Sequence, residues 1–171
     1  QPERLDFCIK LLEGGAASEY LRHSEVGAAM DIRGPFGVFT LTPEDGPIWF
    51  LATGTGLAPY RSMLMEALRT RDPRPFRVYF GVRDQQDLFG VEDLERFQRE
   101  LPDFQYTLCL SRPEPGWTGY VGRITQLLAE RHPEPRDHYY LCGNGPMIDE
   151  AKAHLKERGL DRKRIHYEKF Y

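Results

Sequence analysis

The residues best suited to chemistry lie in a short glycine-rich stretch, residues 53–59, with the sequence TGTGLAP. An apolar run of the length of a buried strand precedes it, from Ile48 to Ala52, and a helical pattern follows it. Glycines between a strand and a helix let a phosphate approach the backbone, and the unpaired N–H groups of the helix point at it. Because Pro59 stands where the fingerprint GxGxxG has its third glycine, an ordinary strand-to-helix turn stays open as an alternative. The candidate phosphate-binding residues are Thr53, Gly54, Thr55, Gly56 and Pro59.

Three further loops follow predicted strands, and their sequences are GVRDQQD, SRPEPGWTG and CGNGPM. Together they supply a second glycine turn, guanidinium groups, a hydroxyl, an aromatic pair and a thiol. These parts suit a dinucleotide, because the backbone binds a pyrophosphate, Ser and Arg bind a phosphate, and an aromatic face stacks on adenine. The candidate residues are Arg83, Ser111, Arg112, Trp117, Tyr120 and Cys142.

Composition excludes several classes of protein. The chain has 171 residues and a net charge of −3 with scattered Lys and Arg, which gives no reason to expect nucleic acid. We expect no membrane span and no secretory leader, since no apolar stretch is long enough and no charged-then-apolar segment opens the chain. The three cysteines have no CxxC spacing, which argues against a disulfide framework and a zinc site and favours a reducing cytoplasm. The five histidines are dispersed, so we predict no metal.

From residue 45 onward, strand and helix patterns alternate. Repeated βα units of this length predict an α/β fold with a doubly wound parallel sheet, whose ligands lie beyond the carboxyl ends of the strands. The predicted strands are 48–52, 76–82, 105–110, 138–142 and 164–168. The predicted helices are 59–70, 91–101, 122–131 and 147–158, with Gly159 as the C-cap of the last.

The first 44 residues have a different pattern. Leu5–Leu12 and Met30–Leu41 are predicted strands, the second broken at Gly34-Pro35. Between them a glycine turn leads to a helix over Ser18–His23, with Ser18 as a possible N-cap. That turn is either a capped turn or a second phosphate cradle. The polar, proline-containing segment 42–47 predicts a boundary between a domain over 1–44 and a nucleotide domain over 45–171.

These motifs, in this order, resemble the ferredoxin–NADP reductase superfamily of FAD-containing, NAD(P)H-dependent reductases. Residues 53–59 resemble its pyrophosphate loop for the nicotinamide cofactor, and residues 142–147 resemble its second nucleotide motif. Residues 33–37, RGPFG, resemble the end of its antiparallel β-barrel flavin domain. Residues 15–18 resemble the family's GxxS turn, which holds the FAD pyrophosphate; these residues are Gly15, Ala16, Ala17 and Ser18.

The resemblance implies roles for individual residues. Cys142 would lie near the nicotinamide ring and modulate hydride transfer without acting as a nucleophile, with Gly143 and Met147 beside it as cofactor-binding residues. Glu168 would be a proton or electrostatic partner near the flavin, and Phe170, rather than Tyr171, would stack on it. The alternatives stay open: an inert buried cysteine, a solvated glutamate, and aromatic residues that only pack.

The cofactors implied are FAD and NADP, with NAD possible. Ser111 and Arg112 favour NADP, since a 2′-phosphate needs a hydroxyl and a guanidinium whereas a bare ribose needs a carboxylate. Arg123 adds positive charge. Glu114 could still turn inward and supply the carboxylate that NAD would need. The implied partner is an electron-acceptor protein such as ferredoxin or an iron–sulfur domain, since the chain has no cysteine cluster for its own.

The resemblance has one departure. The flavin motif RxYS or RxYT is absent, because only some 45 residues precede the predicted boundary. The chain thus resembles the C-terminal part of a reductase, with the last barrel strands before the nucleotide domain, and a partner chain or missing segment would complete the barrel. Two other functions stay open: a nucleotide-binding regulatory module without flavin, and one subunit of a split reductase.

Overall fold

The computed structural model describes residues 4–34 and 36–170. The chain divides into two compact units, Gln1–Val38 and Phe39–Tyr171. Pro35, which belongs to the RGPFG motif, and Tyr171, the aromatic residue weighed against Phe170, lie outside the described residues. The boundary between domains after residue 44 stays a prediction.

The first unit contains one helix, α1, over Ala16–His23. The strands predicted over Leu5–Leu12 and Met30–Leu41 are not formed within the part of the chain that the structure describes. A strand exists only when a neighbouring strand pairs with its N–H and C=O groups, and the apolar alternation of these segments contains no information about that neighbour. Most of their large apolar side chains are exposed instead, and Phe7, for example, is 60% exposed; Phe39 and Leu41, at the end of the second segment, are partly buried.

A six-stranded, all-parallel sheet forms the centre of the second unit. The strand order is β4-β3-β2-β1-β5-β6, so β1 lies between β2 and β5. The chain therefore reverses its direction of winding at β1, which confirms the predicted doubly wound α/β fold. The strands are β1 Ile48–Thr53, β2 Phe76–Val82, β3 Phe104–Leu110, β4 Tyr120–Val121, β5 His138–Gly143 and β6 Ile165–Lys169.

Helices cover both faces of this sheet. They are α2 Ala58–Thr70, α3 Val91–Glu100, α4 Ile124–Ala129 and α5 Gly145–Glu157. The core beneath α2 and α3 takes Phe50 from β1, whereas the core beneath α4 and α5 takes Leu51. Alternate residues of one strand thus fill opposite cores, which is why the central strands are apolar almost without interruption.

The predicted elements of this unit match the structure to within two residues at each end, and the largest difference is at α4, which is shorter by two residues at both ends. The two-residue strand β4 was missed, because two residues show no periodicity. Gly159 follows the C-cap Arg158 with a φ of +82°, so it ends α5 in the left-handed conformation that glycine adopts without strain. Three short 3-10 turns were also missed: Gly54–Leu57, Gln85–Asp87 and Arg162–Arg164.

Residues 39–44 contact the sheet of the second unit. The backbone N–H of Thr42 donates to the hydroxyl oxygen of Tyr140 at 2.7 Å, and Arg74 donates to the carbonyl of Thr42 at 2.8 Å. The ring of Phe39 packs edge-on against Tyr140 with centroids 5.6 Å apart. These contacts hold the segment that enters the sheet unit.

Candidate nucleotide site

The loops predicted to bind a ligand lie at one edge of the sheet. Thr53, Arg83 and Ser111 come at the carboxyl ends of β1, β2 and β3, and Asn144 follows β5. The strands are parallel and nearly in register, with Thr53 opposite Gly81 and Val82 opposite Leu110. The structure therefore brings the four predicted loops to the same edge.

The two glycine loops contact each other closely. A Cβ atom placed on Gly56 would lie 2.2 Å from the carbonyl oxygen of Cys142, and one placed on Gly143 would lie 2.1 Å from the Oγ1 of Thr53. Gly143 also has a φ of +134°, a conformation that residues with side chains rarely adopt. Glycine is thus required at both positions, because any side chain would push the loops apart.

A pair of hydrogen bonds joins these loops. The hydroxyl oxygen of Thr53 accepts from the backbone N–H of Asn144 at 3.0 Å and from its side-chain Nδ2 at 3.1 Å. The Oδ1 of Asn144 accepts from the N–H of Met147 at 2.9 Å, which caps α5. Asn144 therefore fixes the start of a helix and the end of β1 at once.

Two helices begin at this edge. The 3-10 turn Gly54–Leu57 leads directly into α2, which has Pro59 in its first turn, and α5 begins at Gly145. Helix N-termini present unpaired N–H groups and the positive end of the helix dipole. The edge is therefore suited to an anion such as a pyrophosphate.

The side chain of Tyr60, in the first turn of α2, packs beneath the glycine loop of residues 53–59. It is fully buried, and its hydroxyl is within hydrogen-bond distance of the carbonyl of Leu51 at 3.1 Å and that of Tyr140 at 2.8 Å. Burial raises the pKa of Tyr60 well above its usual range, so the hydroxyl stays protonated. It ties α2 to β1 and β5 just before the glycine loops.

Cys142 is buried at the end of β5. Burial, and to a smaller extent the Glu168 carboxylate, raise the pKa of its thiol to about 12. A thiol with that pKa is neutral at pH 7, and the thiolate is the nucleophilic form of cysteine. Burial and the raised pKa therefore favour a packed, neutral thiol and not a nucleophile.

The end of β6 lies beside Cys142. Glu168 is the backbone partner of Cys142 in the β5–β6 pair, and its side chain is exposed. The N–H of Phe170 donates to the carbonyl of Gly143 at 2.9 Å, and its half-buried ring packs against the core cluster that contains Cys142. The three residues predicted to be catalytic are thus brought together.

The loops after β2 and β3 run side by side. The N–H of Arg112 donates to the carbonyl of Arg83 at 2.8 Å, and the N–H of Ser111 donates to the carbonyl of Val82 at 3.2 Å. Ser111 and both arginine side chains are exposed. Two guanidinium groups and a hydroxyl are therefore concentrated on adjacent loops.

The aromatic pair of the third loop is engaged within the protein. The Nε1 of Trp117 donates to the carbonyl of Tyr120 at 3.2 Å, and the hydroxyl of Tyr120 donates to Glu130 at 3.2 Å. The indole lies against Gly119, where an added Cβ would be 2.4 Å from the ring. Both side chains are half-buried, so each keeps an exposed part.

In the first unit, residues 15–18 form the start of α1. The N-cap is Gly15, so the expectation that Ser18 caps the helix is wrong. Ser18 lies inside the first turn, where its buried hydroxyl accepts a hydrogen bond from the N–H of Leu12 at 2.8 Å. The sequence did not reveal the true start of the helix. The helix begins two residues before Ser18, at Ala16, and neither Ala16 nor Ala17 has a side chain that could mark a cap.

Sequence reasoning missed the roles of Asn144 and Tyr60. The asparagine did carry a signal, since Asn followed by Gly-Pro before a helical pattern is typical of an N-cap with proline in the first turn. The buried hydroxyl of Tyr60 carried none, because its partners lie on strands distant in sequence. Met147 was predicted to contact the cofactor; its side chain is buried in the core beneath α5.

Two absences hold for the described residues 4–34 and 36–170. No group of three or more His, Cys, Asp or Glu side chains there is arranged to hold a metal ion. No helix in those ranges has the length and apolar character needed to cross a membrane.

A sheet of this topology with paired glycine loops at its switch point defines a dinucleotide-binding α/β domain. The comparisons with known proteins agree. Residues 50–153 match the family model of the oxidoreductase NAD-binding domain, and residues 1–41 match that of the oxidoreductase FAD-binding domain.

Similar proteins include the ferredoxin–NADP reductase B of Sorangium cellulosum, which is 35% identical over 98% of this chain and 72% of its own length. The toluate 1,2-dioxygenase electron transfer component of Pseudomonas putida is 31% identical over 97% of this chain and 50% of its own length. Among solved structures, a cytochrome P450 reductase of Amycolatopsis has a TM-score of 0.78 and 31% identity, over 95% of this chain and 50% of that one.

The chain therefore belongs to the ferredoxin–NADP reductase superfamily, with the oxidoreductase NAD-binding domain and part of the FAD-binding domain. It spans about half the length of most of the relatives it matches.

Proposed function

We propose that this chain is the nicotinamide-nucleotide-binding part of a flavin-dependent reductase, which exchanges a hydride between NADPH and FAD and passes electrons to a protein acceptor. The proposal is supported by the family membership and, above all, by one observation. Two glycine loops meet at the carboxyl edge of the sheet, where a side chain on either would collide with the other.

The described residues fit a bound dinucleotide. The backbone of residues 53–59 and the start of α2 suit the pyrophosphate, because the glycines admit it and the helix N-terminus is positive. We assign the 2′-phosphate to Ser111 and Arg112, with Arg83 on the adjacent loop. We assign adenine to the exposed face of Tyr120.

The residues around the end of β5 would hold the nicotinamide. When bound, the two cofactors supply the redox chemistry, and the protein supplies binding, orientation and exclusion of water. We assign the buried, neutral thiol of Cys142 to the floor of this position, where it would pack beneath the ring without attacking it as a nucleophile. We infer that Glu168 places a negative charge beside that position and that Phe170 covers it.

The flavin assignment concerns the first unit. The N–H groups at the start of α1, which follow Gly15, suit one phosphate of FAD, and Ser18 stabilises that turn through Leu12. The remaining flavin contacts of this superfamily would have to come from residues outside this chain. We therefore propose that a partner chain or a further segment completes the barrel.

A calorimetric titration tests the choice of nucleotide. We expect NADP⁺ to bind more tightly than NAD⁺, and Arg112→Ala to remove most of that preference, since a charge-assisted contact to a phosphate is worth about 1.5–3 kcal/mol. Arg99→Ala removes the same charge from the exposed side of α3 and is the matched control. Equal affinities for both nucleotides, unchanged by Arg112→Ala, would refute the assignment.

A second candidate is one subunit of a split reductase. Exposed apolar side chains along the first unit favour it, since surfaces of that kind are normally covered. The third candidate function is that of a regulatory module that binds a nucleotide but no flavin. Visible absorbance after addition of FAD separates the first candidate from the other two: retained flavin that NADPH bleaches supports a reductase, and nucleotide binding without retained flavin supports the others. A stable co-purifying partner chain then supports the split reductase, and its absence supports the regulatory module.

We propose only the class of the electron acceptor, which is a ferredoxin-like protein or an iron–sulfur domain. We also propose a cytoplasmic location, which is supported by the three cysteines, all of which are free thiols.

A further inference from the structure

The strongest unassigned feature is the pair of hydrogen bonds between Asn144 and Thr53. The Oγ1 of Thr53 accepts both from the same residue, at 3.0 and 3.1 Å. A hydroxyl has two acceptor positions and one donor hydrogen. With both acceptor positions used by Asn144, the hydroxyl of Thr53 retains only its capacity to donate.

Asn144 is itself held in place by α5. Its Oδ1 caps the helix through Met147 at 2.9 Å, and its carbonyl accepts from the N–H of Ile148 at 3.2 Å. The amide plane is therefore fixed, and so is the direction in which Nδ2 donates. An asparagine is the residue that can accept at a helix cap and donate to a hydroxyl with one side chain.

The same contact determines the separation of the glycine loops. Gly143 lies directly before Asn144, and there is no room for a Cβ between it and Thr53. The carbonyl of Gly143 also receives the N–H of Phe170. Displacement of Asn144 would therefore move the loop that carries Cys142, the end of β1 and the attachment of Phe170.

We propose that Asn144 is a positioning residue for the nicotinamide half of the dinucleotide. It acts through Thr53: it fixes the distance between the two glycine loops and leaves the threonine hydroxyl as an obligate donor toward an acceptor oxygen of the ligand. This inference rests on the proposed nucleotide-binding function.

The test compares two ligands by calorimetry on the whole chain. NADP⁺ contains the nicotinamide half, whereas 2′,5′-ADP contains only the adenosine half with its phosphates. Asn144→Ser keeps an oxygen for the helix cap and loses the Nδ2 donor. We expect it to weaken NADP⁺ about tenfold and to change the affinity for 2′,5′-ADP by less than twofold.

A second pair of variants tests the same contact from the other side. Thr53→Val removes the hydroxyl at nearly constant volume, and Thr53→Ser keeps it. We expect Thr53→Val to weaken NADP⁺ at least as much as Asn144→Ser does, because it also removes the donor to the ligand, and Thr53→Ser to bind more tightly than Thr53→Val. The double variant with Asn144→Ser and Thr53→Val should be no weaker than the worse single variant, because both changes break the same contact.

The outcomes separate the two levels of the argument. If the unmodified chain binds neither ligand, the proposed function fails and this inference fails with it. If it binds both, but Asn144→Ser weakens them equally or not at all, or the two changes add fully, only the role of Asn144 is overturned.

Discussion

The sharpest structural prediction concerns Gly56, where the two glycine loops meet. A Cβ atom at this position would lie 2.2 Å from the oxygen and 2.5 Å from the carbon of the Cys142 carbonyl, and 2.8 Å from the nitrogen of Gly143. Ordinary van der Waals contact begins at 3.4 Å, so Gly56→Ala must move the loops apart by about 1.2 Å. The atoms that it meets belong to backbone at the end of a central strand, so no flexible side chain can move aside.

Overpacking of this kind costs about 1–3 kcal/mol, and we expect the upper end for Gly56→Ala because both sides are backbone. For a chain of this size that corresponds to a fall in Tm of roughly 6–12 °C. Since a displacement of about 1 Å can cost a hundredfold in a positioned site, we expect NADP⁺ affinity to fall at least tenfold. Urea denaturation and calorimetry measure the two effects.

Gly145 is the matched control for stability. It lies in the first turn of α5, and an added Cβ there would meet no atom within 4 Å. Gly145→Ala should therefore change the free energy of unfolding by less than about 1 kcal/mol in either direction, because the entropic gain of alanine is opposed by the restriction that Pro146 places on the residue before it. If Gly56→Ala unfolds at the same urea concentration as Gly145→Ala and binds NADP⁺ like the unmodified chain, the close approach of the loops is refuted.

Three further outcomes follow from the described contacts. Iodoacetamide at pH 8 should label only Cys8 in the folded protein, because the other two cysteines are buried with pKa values near 12; mass spectrometry should show one adduct, and three after denaturation. Two adducts before denaturation would contradict this. Tyr60→Phe should lower the free energy of unfolding by about 1–3 kcal/mol in urea, because the buried carbonyls of Leu51 and Tyr140 lose the one hydroxyl hydrogen that they share; an unchanged midpoint would mean that the hydroxyl contributes nothing. Burial lowers the pKa of His138 and of His166 below 6.5, and in His138 the neighbouring guanidinium of Arg164 lowers it further. A lowered histidine pKa means that the unfolded chain binds more protons, so stability is highest above pH 6.5. It should fall as the pH drops below that value, by at most about 1.4 kcal/mol per pH unit for each histidine, and urea midpoints that rise toward pH 5.5 would contradict the sign.

The sheet unit could be predicted from the sequence because its elements carry strong local signals. Strands such as Phe76–Val82 are apolar runs bounded by turn residues, and α2 has a proline in its first turn. The order of alternation then implies a parallel sheet, and a parallel sheet implies a ligand edge. The predicted loops at that edge did come together, since each was placed by the strand before it.

The first unit and several hydrogen bonds of the site could not be predicted, because they depend on segments that are distant in the sequence. The apolar alternation of Leu5–Leu12 indicates a strand only if a neighbouring strand is present. The hydroxyls of Ser18 and Tyr60 are used by backbone groups on other segments, at distances along the chain that no motif encodes. The bond between Asn144 and Thr53 spans 91 residues, although the helix cap that orients it had a local signature.

Hydrogen–deuterium exchange with and without NADP⁺ shows whether the two glycine loops bind a dinucleotide. We predict slower exchange in three segments when NADP⁺ is added: residues 53–59, 111–114 and 142–147. Exchange along α1 and in the 3-10 turn Arg162–Arg164 should be unchanged. Unaltered exchange in both glycine loops at saturating NADP⁺, or protection confined to other segments, would contradict the account.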